Sequence, residues 1–109
     1  MFKMQSIESV RWPVEVRIPR DGGKTTKATF FCKFRLMEQP DIDELVRDSA
    51  NDAELLGQVI LDWEAVLDEQ DQPLPCTPDN IAALTRRVFV RTAMLSAFFR
   101  AQAGAGEKN

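Results

Sequence analysis

The chain has 109 residues, 44% apolar and 28% charged, with two cysteines and neither histidine nor tyrosine. That size and composition describe a packed single-core chain rather than a disordered one. The missing histidine takes away the commonest general base, the commonest metal ligand and the usual pH switch. Two cysteines make no disulfide framework, and no apolar run reaches the ~20 residues of a membrane span. Met1-Phe2-Lys3-Met4-Gln5-Ser6 lacks the apolar stretch and cleavage site of a secretory signal, so a cytoplasmic setting is expected.

Taken in chain order, the first third alternates with period two. Val14, Val16 and Ile18 interleave with Glu15 and Arg17, and Ala28, Phe30, Cys32, Phe34 and Leu36 interleave with mostly polar residues. One buried and one wet sheet face is implied. Asp21-Gly22-Gly23 between the runs supplies the positive φ of a tight reversal, giving a hairpin over about 10–18 and 26–37. Phe2 and Met4 suggest a third strand at about 2–4, since an isolated hairpin is marginal in water.

After Pro40 the period becomes helical. Asp41 and Glu44 form a capping pair for a helix at about 41–50, and Asn51 and Glu54 repeat the signal for one at about 52–67. Leu55, Leu56, Val59, Ile60, Trp63, Val66 and Leu67 then fall on one broad helical face. Residues 41–67 read as one bent helix or as two broken near Ser49-Ala50-Asn51-Asp52. Pro73 and Pro75 place a loop before Thr77-Pro78, a cap and first helical residue for a helix at about 78–86. The last helix, about 88–103, is apolar most of the way round, so it is buried or meets a partner on a second face. The fold class is α+β: an antiparallel hairpin or small sheet, then three to four helices, as one domain over 1–103 with a flexible tail over 104–109.

Charge is segregated along this order. Residues 1–37 carry eight cations against three carboxylates, residues 38–80 carry Arg47 against thirteen carboxylates, and residues 81–109 carry five cations against Glu107. A net −3 therefore conceals blocks of +5, −12 and +4. Such blocks bear on association rather than fold. If a basic end of one copy meets the acidic middle of the next, the contact is heterologous and the homo-oligomer closes into a ring or continues as a spiral.

No constellation points to chemistry. Cys32 lies on the apolar phase of its strand and Cys76 lies between Pro75 and Thr77, both reading as packing residues. Asp68, Glu69, Asp71 and Asp79 lack the ladder and glycine turn of a calcium loop, so no metal site is assigned. Gly22-Gly23-Lys24-Thr25 is followed by strand, which argues against a phosphate loop. Neither a catalytic residue nor a cofactor is expected, and the chain reads as a non-enzyme. The basic hairpin keeps a regulatory or nucleic-acid-binding domain as the alternative class, with Phe31 and Trp12 as the candidate stacking residues. An acidic whole-chain balance argues against it. For partner binding the candidates are Phe89, Met94, Phe98 and Phe99 on the last helix, because methionine and aromatic residues suit adaptable recognition of an apolar helix. The competing role for each is closure of the chain's own core.

The segment Trp63–Leu84 resembles the tail assembly chaperones of long-tailed, siphovirus-like bacteriophages and prophages. Their pattern is Trp-x-x-Val, an acidic residue, a short loop, Pro-x-Ser/Thr, and a helix carrying a Leu; here those positions are Trp63, Val66, Asp68, Pro75, Thr77 and Leu84. Trp12-Pro13-Val14-Glu15-Val16 and the Asp21-Gly22-Gly23 reversal are similar to the family's amino-terminal half. The loop departs from the family where Asp71-Gln72 stands in place of a commoner Gly, and Cys76 in place of an aromatic residue. The resemblance implies a non-enzymatic role in virion assembly, in which the tape measure protein is kept soluble and tail tube protein is recruited around it. It also implies that this is the short product where a frameshift makes a longer one.

Overall fold

A computed structural model of the chain describes residues 1–106. Two twelve-residue strands, β1 (Ser9–Arg20) and β2 (Lys24–Arg35), flank a single 3-10 turn at Asp21–Gly23. Gly22 and Gly23 adopt φ of 78° and 77°, the left-handed values that the tight reversal needs and that side chains resist. The hairpin register places Val14 opposite Phe30 and Trp12 opposite Cys32. Val14, Val16, Phe30, Cys32 and Phe34 are buried on one face, while Arg11, Arg17, Lys27 and Lys33 alternate with them and face outward.

The third strand is not at residues 2–4. Phe2 and Met4 are exposed and belong to no strand, and β3 (Ile60–Glu64) instead pairs antiparallel with the other side of β2, giving the order β1-β2-β3. The expected helix over 52–67 therefore ends early, as α2 (Asp52–Val59). A bulge explains the misreading. Lys33 pairs with Asp62 but Phe34 pairs with Ile60, so Leu61 is the extra residue. An inserted residue puts positions i and i+3 on one face of a strand, and Ile60 and Trp63 are both buried at that spacing, which mimics a helix.

Residues 41–67 thus hold two helices and a strand. The first helix, α1 (Gln39–Asp48), starts two residues ahead of expectation, with Glu38 at the cap position making no side-chain bond. Asp41 and Glu44 do not form the anticipated capping pair. Leu45 is the one buried residue of α1. Asn51 does cap α2, its side chain accepting from the Glu54 amide at 2.9 Å, while the Glu54 carboxylate accepts from the Ala50 amide at 2.9 Å. Thr77 caps α3 (Pro78–Thr85) through the Asn80 amide at 3.2 Å, with Pro78 in the first turn.

α4 (Val88–Ala103) coincides with its expected span. It runs along β1 and buries Val90, Met94, Ala97, Phe98 and Ala101 in the same core that holds the sheet's inner face and Leu55, Leu56, Val59 and Ile81. Phe98 meets Phe34 edge to face, with centroids 5.7 Å apart. Gln102 fastens the far end: its amide donates to the Arg35 carbonyl at 2.7 Å and its oxygen accepts from the Met37 amide at 3.0 Å. Gly104 closes α4 in a left-handed conformation, φ 68°, and the Ala105 amide donates back to the Arg100 carbonyl. The anticipated tail accordingly begins as a helix cap at Gly104, and its residues 107–109 lie outside the described residues. No helix among the described residues is long and apolar enough to cross a membrane.

Candidate partner-binding surface

α4 divides into three faces, and the four proposed anchors separate among them. Met94 and Phe98 are fully buried, so they close the core and offer no surface to a partner. Their burial matches the competing role, closure of the chain's own core. The helix has one core stripe at Val90, Met94, Ala97, Phe98 and Ala101, and a run of apolar residues cannot reveal which stripe the sheet will take. Phe99 is 39% exposed, packs edge to face on Phe98 with centroids 5.1 Å apart, and shares an outward ridge with Val88, 60% exposed. Eleven residues are close to three full turns, which brings Val88 and Phe99 onto one side, with partly buried Leu95 between them. Phe89 lies on the third face, half-buried in a groove between α4 and β1 that Trp12 also lines.

The residues of the family-like motif act locally. Trp63 is buried on β3 opposite Cys32, and its indole nitrogen donates to the Leu74 carbonyl at 2.7 Å. Val66 accepts from the Leu74 amide at 2.9 Å, closing the loop from the other side. The Asp68 Oδ1 receives the Gln70 and Gln72 amides at 2.8 and 3.0 Å, a loop-ordering arrangement. Pro75 accepts from the Asn80 side chain at 2.8 Å, Thr77 caps α3, and Leu84 is half-buried against the core. Asp71 takes φ 59° and Ala65 takes φ 64°. The first lies in the left-handed region that favours glycine, and aspartate is among the few other residues that tolerate it.

The sheet's open face is basic and partly paired internally. Arg11 lies 3.7 Å above the Phe31 ring and donates to Glu64 at 2.9 Å, so the stacking face of Phe31 is already covered. Glu15 holds both Arg17, at 2.8 Å, and Lys27, at 3.5 Å. The Arg11–Glu64 pair joins the basic amino-terminal block to the acidic middle within one chain, so part of the charge segregation is satisfied internally. Trp12 faces the α4 groove.

Nucleophilic chemistry finds poor conditions. Cys32 is fully buried, and desolvation, with the nearby Cys76 adding to it, pushes its thiol from an ordinary 9.0 up to about 12. Burial, with Asp62 adding to it, raises Cys76 as well. Both shifts favour the neutral thiol over the reactive thiolate. Among the described residues, no three His, Cys, Asp or Glu side chains gather where they could hold a metal ion. Sequence reasoning passed over the Trp12–Phe89 groove and the Gln102 clamp. Trp12 on the inward phase of β1 was a usable signal for the groove, whereas nothing local marks Gln102. Comparison with known proteins found no matching family model, no matching curated protein and no matching solved structure.

Proposed function

We propose that this chain is a non-enzymatic assembly chaperone of a phage or prophage tail, acting in the bacterial host cytoplasm on the tape measure protein and helping tail tube subunits gather around it. One observation carries the reading furthest: after the core has taken its stripe, α4 still presents an outward ridge of Val88 and Phe99. Apolar ridges on a helix suit capture of another apolar or amphipathic helix. The motif resemblance over Trp63–Leu84 supplies the identity of the partner, and the low reactivity of both thiols gives no reason to prefer catalysis. Nucleic-acid binding on the open face of the hairpin is less favoured, because Arg11 is held by Glu64 and lies over the Phe31 ring, whose stacking face is thereby covered.

The same reading includes self-association of basic ends with acidic middles. Contacts of that kind are screened, so oligomer mass measured by light scattering falls as the Debye length shortens from ~10 Å at 0.1 M salt to ~3 Å at 1 M. Co-expression tests the main proposal: the tape measure protein encoded beside this chain is recovered soluble and in complex with it. A tape measure protein that is equally soluble alone and never co-purifies overturns it.

A further inference from the structure

The edge of the sheet beside α4 carries an unused backbone code. The Leu36 amide donates to the Glu8 carbonyl at 2.9 Å, in step with the register that pairs Ser9 with Arg35. In an antiparallel ladder bonded and non-bonded pairs alternate, so the even-numbered residues of β1 exchange bonds with β2 and the odd-numbered ones turn their backbone groups outward. Pro13 and Pro19 fall on the outward phase, where a missing N–H costs the sheet nothing. Ser9, Arg11, Glu15 and Arg17 keep outward N–H groups, and none has a hydrogen-bond partner among the described residues. A twelve-residue edge of this kind is a template for another strand unless something covers it.

The space beside it fits such a strand. A groove of about 680 Å³ opens between the outward side of β1 and α4. Its helix wall has the short side chains of Ala93, Ser96 and Ala97; because α4 runs antiparallel to β1, Trp12 stands toward one end and Phe89 toward the other. Arg17 and Lys27 line the Phe89 end and Arg100 the other; with Glu15 as the lone carboxylate of the lining, the groove has a surplus of two positive charges on a chain whose net charge is −3.

We infer that this groove binds an extended acidic peptide segment of a partner protein, which adds as a strand to β1 and places carboxylates against Arg17, Lys27 and Arg100. The site is separate from the outward ridge of α4 and does not depend on the tail-assembly reading. Main-chain bonds to Ser9, Arg11, Glu15 and Arg17 supply affinity, interrupted at Pro13, and the cations select sign. An oligonucleotide is a poorer fit, because outward amides recognise a peptide backbone and the cation surplus is small.

The test uses blocked octapeptides titrated into the full chain and followed by amide NMR shifts and hydrogen exchange. One alternates glutamate with valine, a second replaces glutamate with lysine, and a third repeats the first with alternate backbone amides methylated. The acidic peptide is expected to shift Ser96 and Arg100, to slow exchange at Glu15 and Arg17, and to bind about tenfold more tightly than the basic one. Methylation abolishes binding, and the exposed double variant Arg17→Gln, Lys27→Gln weakens it without lowering the melting temperature. Any of four results overturns the inference: equal binding of the methylated peptide, shifts confined to another surface, no shift at millimolar peptide, or tighter binding of an eight-nucleotide single strand. Protection of the β1 amides in peptide-free protein of dimeric mass also overturns it, by showing a second copy in the groove.

Discussion

Replacing Trp63 with phenylalanine separates the packing of this side chain from its hydrogen bond. The ring is 7% exposed and sits opposite Cys32, so phenylalanine keeps most of the aromatic contact. What disappears is the 2.7 Å bond from the indole nitrogen to the Leu74 carbonyl, which ties β3 to the far side of the loop between β3 and α3. A part-buried carbonyl left without its donor costs about 1–3 kcal/mol. The smaller ring adds a void worth about 1 kcal/mol. A loss of about 2–4 kcal/mol lowers the melting temperature by roughly 10–25 °C for a domain of this size. Urea unfolding followed by the fluorescence of the remaining Trp12 gives the free energy, and hydrogen exchange gives the location. The Leu74 amide, bonded to Val66, loses protection before the β1·β2 ladder does. A change below about 0.5 kcal/mol, the level of an ordinary surface substitution, refutes the reasoning.

Other expectations follow from the same geometry. Ala65→Gly relieves a left-handed alanine and raises stability by about 0.5–1 kcal/mol in urea titration, since the strain removed exceeds the added unfolded-state entropy. A loss of stability there shows that the Ala65 conformation is unstrained. Gln102→Leu removes both bonds that fasten α4 to the end of β2 and costs about 1–2 kcal/mol, read by thermal melting. The Cys32 thiol is raised on folding, so its contribution to stability is complete below the ordinary 9.0 and is lost as pH climbs through about 12. Stability therefore falls across that alkaline window with a slope of up to about 1.4 kcal/mol per pH unit, and Cys32→Val flattens it. An unchanged slope in that variant places the titrating group elsewhere. Alkylation of the native protein at pH 8 is slow at both thiols and reaches the half-buried Cys76 first.

Local chemistry was legible wherever a single residue decides the backbone. Asn51, Thr77-Pro78, Gly22-Gly23 and the full span of α4 are signals of that kind, each acting within a few residues of itself. Ile60–Glu64 was not legible, because its pattern satisfies two periods at once: three-residue spacing belongs to a helix, and also to a strand bulged at Leu61. What selects the strand is the unpaired second side of β2, a partner thirty residues away in sequence. Among the binding candidates, Met94 and Phe98 differ from Phe89 and Phe99 only in which way the helix faces the sheet, a rotation fixed by Phe34 and the rest of the core. The groove beside β1 likewise depends on how closely α4 approaches the sheet, and the charge blocks became interpretable only when Arg11 was found against Glu64.

The most direct test of the assembly reading is co-purification of the tape measure protein with a Val88→Glu, Phe99→Glu variant. Both side chains are exposed, so the variant keeps its fold, seen as a melting temperature within a few degrees of the parent. The account predicts that this folded variant no longer holds the tape measure protein in solution. Complex formation equal to that of the parent contradicts it.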